Sequence, residues 1–341
     1  MDLESVSKTN IIEELRNRYR RFADVECGEY GALYFKLSHA VASDSKILHF
    51  IAEMPDRQPN LFFAAVHYLA GSDKMPLDAA GLSLFVRDNR EALAAVMRSH
   101  HTQTNEVGRC AVILPGLPSG PLALIEVGTS AGLCLMLDKY RYDYGVTQIG
   151  NEASKVVLRC MLETPAPLPK DLPTIVWRRG LDIDPVDVND AEQVRWLLAC
   201  VWPDHVERRQ RLKAAIEMCQ QQPIIIKQGD MVDDLPTLIA EAPNDALLVI
   251  FHSAVLPYVP TESRAAFPAL LVKASYSRDI VWLSNEGPRA IPELDALAPN
   301  RDRLRFLLGR THFSKGRTYR ELLALGHYHG WDLEWLAQLT P

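Results

Sequence analysis

The stretch Leu122-Ala-Leu-Ile-Glu-Val-Gly-Thr-Ser-Ala-Gly-Leu133 sets a carboxylate, a threonine and three small residues where an apolar run ends. Gly128 tolerates the dihedrals of a sharp turn, and Ser130 and Gly132 keep side chains out of a ligand's way. A helix starting after such a turn points unpaired N–H groups at a ligand. Glu126 suits a partner that donates hydrogen bonds or carries positive charge, such as the ammonium group of S-adenosylmethionine; a bare phosphate would be repelled. A plain turn packing strand against helix uses the same residues, because a lone glycine turn is a weak signal. Phe251-His-Ser253 ends another apolar run. Imidazole titrates near neutral pH, so His252 is the candidate general base, the alternative being a histidine held structurally at the same edge. Ser253 lies in no G-x-S-x-G elbow, which argues against a hydrolase nucleophile. Glu286 follows the next apolar run, where it would orient His252, bind a cationic substrate or face water.

Residues 103–109 gather Gln103, Asn105, Glu106 and Arg109 in one connection, and loops at a domain seam often close a ligand site. Arg109 suits a ligand carboxylate, or a salt bridge to Glu106 or Glu126. His327 and His329 are two apart on an expected strand and so share a face, but no third metal ligand lies nearby.

These side chains need a frame. Before about residue 110 the pattern is helical, with segments near 11–22, 33–53, 61–70 and 82–100, the third stopped by Gly71. Afterwards short apolar runs at 122–127, 174–177, 224–227, 246–251 and 279–283 alternate with helical patterns at 131–140, 191–200, 208–220, 234–240 and 262–274. That alternation predicts a mostly parallel sheet with crossover helices. Two further strands, 303–308 and 326–336, flank a short helix at 319–325 and return antiparallel at the sheet edge. The expected organisation is a helical subdomain over residues 1–110 and a Rossmann-like domain over 111–341. Tyr140, Tyr142 and Tyr144 alternate as a core aromatic ladder would, in an insertion after the first crossover.

Composition narrows the partners. The 341 residues carry a net charge of −6, against a dominant nucleic-acid surface, and 48% hydrophobic residues, ample for a core. Arg16, Arg18, Arg20 and Arg21 read as a solvated helix face. No run approaches the ~20 apolar residues of a membrane helix, and the polar start does not read as a signal peptide. The six cysteines are scattered without a C-x-x-C pair, as buried thiols in a reducing cytoplasm would be.

The chain also resembles a known family, domain of unknown function 2332, whose fold is similar to that of S-adenosylmethionine-dependent methyltransferases. The resemblance rests on Thr102-Gln-Thr-Asn-Glu-Val-Gly-Arg-Cys110, Glu126-Val-Gly-Thr-Ser-Ala-Gly-Leu133, Asp138-Lys-Tyr-Arg-Tyr-Asp-Tyr-Gly145, Arg179-Gly-Leu-Asp-Ile-Asp-Pro185, Trp196-Leu-Leu-Ala-Cys-Val-Trp-Pro203, Phe251-His-Ser253 and Gly326-His-Tyr-His-Gly330. It implies a class I methyltransferase-type sheet of seven strands. In such enzymes an acid closing the second strand holds the ribose, which puts Asp182 or Asp184 in that role. They stand 56 and 58 positions beyond Glu126, against about 20 in the usual βαβ unit, so an insertion must intervene. The likeness also implies that Asp230, after the third strand, faces the adenine; turn or helix capping is the alternative for Asp182 and Asp184, and the N-cap of the 234–240 helix that for Asp230.

The reading that joins these elements is a small-molecule methyltransferase using S-adenosylmethionine and releasing S-adenosylhomocysteine. It expects Glu126, Gly128, Thr129, Ser130, Gly132, Asp182, Asp184, Asp230, Gln103, Asn105 and Arg109 around the cofactor, with His252 and Glu286 at the chemistry. Two alternatives are a protein that keeps the fold and ligand without methyl transfer, and a nicotinamide-dependent oxidoreductase. Ser130 in place of a central glycine, and Glu126 where pyrophosphate would sit, argue against the last.

Overall fold

A computed structural model describes residues 3–28, 30–298 and 305–338. The chain divides into two compact units, Met1–Thr104 with Asn189–Gln210, and Asn105–Val188 with Arg211–Pro341.

The first unit is helical in its described residues: α1 (Leu3–Arg21), which runs into a π-turn at Phe22–Cys27, then α2 (Ala32–Ser43), α3 (Ser45–Ala52), α4 (Pro59–Ala70), α5 (Ala79–Asp88), α6 (Arg90–Ser99) and, later in sequence, α7 (Ala191–Ala199). Two helices that the sequence predicts as continuous are each broken once. The Asp44 carboxylate accepts from the amides of Lys46 (2.8 Å) and Ile47 (3.2 Å), starting a new helix there. Asn89 leaves helical dihedrals and donates its side-chain amide to Phe85 O (2.9 Å), separating α5 from α6. The core is aromatic. Tyr34 stacks on Phe63 at 4.5 Å, and Phe22 meets Trp202 edge-on at 5.6 Å. His67 pins α4 to the end of α7 through Ala199 O (3.0 Å), and burial lowers its pKa below the usual imidazole value.

The second unit is built on a nine-stranded sheet. Its strands in chain order are β1 (Pro121–Val127), β5 (Met161–Leu162), β6 (Thr174–Asp182), β7 (Ile226–Gln228), β8 (Leu247–Ser253), β9 (Ile280–Glu286), β10 (Phe306–Ser314), β11 (Arg317–Gly326) and β12 (Asp332–Trp335). The order across the sheet is β5-β12-β11-β10-β9-β8-β1-β6-β7. β7, β6, β1, β8 and β9 run parallel; β10 opposes β9, and β11 opposes β10, so β11 again runs with the parallel set. The seven expected strands become nine: β12 falls within the expected 326–336, while β11, where a helix is expected, and β5 are additional, and β12 and β5 pair in parallel beyond β11. A separate three-stranded sheet, β2 (Arg141–Asp143), β3 (Gln148–Ile149) and β4 (Val157–Arg159), occupies most of the excess length between β1 and β6. Helices α8 (Val206–Gln221), α9 (Leu235–Glu241) and α10 (Thr261–Ala274) follow. Among the described residues no helix is long and apolar enough to cross a membrane.

Three local expectations need correction. Residues 319–325 are strand, not helix: Leu322 to Gly326 are all buried on both faces of β11, and a continuous apolar run has no periodicity to betray its type. Residues 326–336 are not one strand but the end of β11, a turn and β12, so His327 and His329 lie on a turn; residues 303–304 of the preceding expected strand lie outside the described residues. Residues 131–140 form a turn and a 3₁₀ segment, Leu133–Lys139, rather than an α-helix. Side chains compete there for the helical hydrogen bonds. The Leu133 amide donates to Asn105 Oδ1 (3.0 Å), while the hydroxyls of Tyr140 and Tyr142 donate to Leu133 O and Leu137 O (both 2.6 Å). The alternating tyrosines are buried, as a core ladder requires.

Candidate functional site

A doubly wound sheet opens a crevice at the carboxyl ends of its strands where the order reverses. Here that point lies between β1 and β8. Strain gathers there. Ser130 just after β1 has φ 51° and Ala254 just after β8 has φ 59°, a left-handed conformation that costs an L-residue about 1–2 kcal/mol.

The turn after β1 is wired internally. Thr129, fully buried, donates its hydroxyl to Glu126 Oε2 at 2.6 Å. Burial pushes the Glu126 carboxyl well above the usual carboxylate range; the nearby Cys134 thiol adds to the rise and the Thr129 bond opposes it. The expected anion beneath the turn is therefore a group that resists ionisation. Asn105 spans the turn, donating to Thr129 O (3.1 Å) and accepting from Leu133 N (3.0 Å). Asp182, at the end of β6, accepts from Ser130 N (2.6 Å) and Asp184 N (2.9 Å), so it ties the first two strand ends together. Asp184 is exposed, and Gln103 belongs to the helical unit. Asp230 accepts from the amides of Val232 (2.6 Å) and Asp233 (3.3 Å), while its own amide donates to Asp234; it caps the turn before the helix, whose N-cap is Asp234 rather than Asp230 as the alternative reading has it.

The two glycines of the turn leave room for protein, not for a ligand as expected. A Cβ on Gly128 (φ 68°) would stand 2.4 Å from Val255 Cγ2, and one on Gly132 (φ 75°) would crowd Ile224 and Ile226. Gly128→Ala is expected to cost about 2–4 kcal/mol, the dihedral penalty plus overpacking. Adding Val255→Ala would recover only the overpacking part. Urea midpoints of the two variants check this; equal losses in both would refute the contact with Val255.

His252 and Glu286 do come together, but inside the sheet's packing. His252 is fully buried, with Nδ1 2.7 Å from Glu286 Oε1 and Nε2 accepting the indole N–H of Trp282 at 2.9 Å. Since the indole only donates, Nε2 carries no proton and Nδ1–H donates to the carboxylate. Alternation along β8 puts His252 on the side of Leu248 and Ile250, which pack with Phe267 and Leu271 of α10; Glu126 faces the opposite side, away from Ile125 and Val127. The expectation of an accessible general base is corrected here: both ring nitrogens are engaged, and no solvent reaches them.

Arg109 is buried. It donates through Nε to Tyr328 O (2.9 Å) and through Nη1 to Ser253 O (3.1 Å), clamping the β11–β12 turn to the end of β8. Residues 105–109 therefore connect the glycine turn, β8 and the turn at 327–331. Sequence reasoning missed Asn285, whose amide donates to Ser253 Oγ at 3.0 Å, and missed the pairing of Glu106 with Arg211 (3.1 Å) and His329 (3.8 Å). Proximity to Phe251-His-Ser253 in a neighbouring strand was the available signal for Asn285; the Glu106 contacts are long-range and left none.

A family model described as "Uncharacterized protein conserved in bacteria (DUF2332)" matches residues 16–335, and the chain belongs to that family. No curated protein and no solved structure matches the chain.

Proposed function

With that membership as premise, we propose that the protein is an S-adenosylmethionine-dependent methyltransferase of a small molecule, binding its cofactor at the strand ends beside the β1–β8 switch point. One observation carries this reading: the strand ends hold hydrogen-bond acceptors in excess of donors. Asn285 Oδ1, an acceptor, and the Ser130 hydroxyl, which accepts as well as donates, are buried without a hydrogen-bond partner among the described residues. Half-buried Asp182 and Asp230 each accept two amides and retain further lone pairs. Such a set fits a ligand that brings hydroxyls and positive charge, as ribose, ammonium and sulfonium do. It does not fit the pyrophosphate of a nicotinamide dinucleotide. Five parallel strands followed by an antiparallel one also agree with the sheet this reading expects. In it Asp182 holds the ribose, Asp230 faces the adenine ring, and Asn105 and Thr129 hold the turn. The cofactor, when bound, supplies an electrophilic methyl group.

The second reading, ligand binding without methyl transfer, is favoured by the engagement of both His252 nitrogens. Calorimetry on the whole chain tests the shared core of both. S-adenosylmethionine and S-adenosylhomocysteine are expected to bind and NAD to give no heat. Absence of heat with millimolar S-adenosyl ligands on folded protein would sink the proposal.

A further inference from the structure

A second imidazole–carboxylate pair stands in this unit, and it differs from the buried one. His329 Nδ1 lies 3.8 Å from Glu106 Oε2, with side chains 13% and 4% exposed. Glu106 is fixed from its other oxygen, Oε1, which accepts from Gly108 N (2.9 Å) and Arg211 Nη2 (3.1 Å). The turn that carries His329 is stiff. Its amide donates to His327 Nδ1 at 3.1 Å, and the His327 ring lies flat on Trp331 at 4.4 Å and 7°. Gly108 and Gly330 touch backbone to backbone, since a Cβ on Gly330 would stand 2.0 Å from Gly108 O.

Three links set this pair at the crevice edge. Asn105, adjacent to Glu106, bonds across the glycine turn. Arg109 bonds to both Ser253 O and Tyr328 O. The start of β10 and the end of β11 pair with each other, and β10 meets the carboxyl end of β9 there, so the 327–331 turn lies at the same end of the sheet as Gly128.

We infer that His329 is the general base of the reaction, an inference that rests on the methyltransferase reading above. His329 Nε2 takes the proton of an acceptor hydroxyl or amine, whose electron pair bonds the methyl carbon while sulfur keeps the pair of the broken carbon–sulfur bond. Glu106 stabilises the imidazolium that results, from the Nδ1 side. Charged or titratable groups around the pair include Arg211 on Glu106, Arg109 beneath the turn, His327 against the ring, and Asp332, which accepts His327 N at 3.1 Å and is itself held by Arg305. A base at this place takes the part that the sequence assigns to His252.

The test is histidine-ring NMR on the full chain, titrated with S-adenosylmethionine or S-adenosylhomocysteine bound, with His329→Gln used to assign the signal. The ring is expected in its Nδ1–H form at pH 8. Its titration midpoint should be lower with the sulfonium ligand than with the neutral thioether, because a nearby positive charge disfavours the imidazolium. Glu106→Gln should lower the midpoint by about 1 unit or more. Identical midpoints with the two ligands, or an Nε2–H form at pH 8, would overturn the assignment even though both ligands bind. If calorimetry finds that neither ligand binds the wild-type chain, it is the cofactor reading that fails.

Discussion

Replacing His252 by alanine is expected to destabilise the second unit by about 3–5 kcal/mol, because it empties a buried ring's volume and leaves a buried carboxylate and an indole N–H each short of a partner. The substitution strands two groups at once. Trp282 Nε1 loses its acceptor, and Glu286 keeps only the amides of Val255 (2.9 Å) and Leu256 (3.4 Å) on Oε1, in a place that water does not reach. Trp282→Phe removes the indole N–H together with ring volume and leaves the carboxylate contact intact, so its cost should be smaller, about 1–3 kcal/mol. Urea denaturation of the two variants gives the ranking. An unchanged midpoint for His252→Ala would mean that the pair is not part of the core, and the general-base role would have to be reopened.

The second large effect lies across the crevice. Gly330→Ala is expected to cost about 2–5 kcal/mol, because φ is 77° and the added methyl meets a carbonyl oxygen of the chain rather than a side chain able to turn aside. Relief requires residues 108–109 to move from the 327–331 turn. Arg109 would then lose the geometry of its bonds to Tyr328 and Ser253, so S-adenosylhomocysteine affinity should also fall in whatever fraction stays folded. Thermal unfolding with and without ligand separates the two consequences. A variant as stable as the wild type would show that the backbones are farther apart than described.

The sheet was legible in sequence because its parallel strands are buried on both faces and so read as uninterrupted apolar runs, as Leu122 to Val127 do. Caps were legible in part: Asp182 reads as a turn-capping candidate from its neighbours alone, whereas Asp230 reads as the N-cap of the following helix, a place that Asp234 takes. What failed were features decided by distant side chains. Nothing near residue 133 reveals that Asn105 and Tyr140 will take its backbone groups, and nothing near Gly128 reveals Val255. The strand at 317–326 failed for another reason, since two-sided burial erases the alternation that would have identified it. His252 was correctly placed at a strand end, but period-two alternation decides which face receives it, and the sequence does not say which face is covered.

The pairing of β5 with β12 has a consequence for the order of folding. Thr164 Oγ1 donates to Trp335 O at 2.9 Å and accepts from Trp335 N at 2.6 Å, across 171 positions of sequence. A ribosome adding about 5–20 residues per second leaves β5 without its neighbour for roughly ten seconds or more. During that interval β1 can already recruit β6 and then β8, whereas the far margin of the sheet stays open until β12 has emerged. Closing it is a long-range, entropically slow event, placed after the centre of the sheet has formed. The nascent chain would therefore have β1 paired with β6 and β8 well before its sheet is finished.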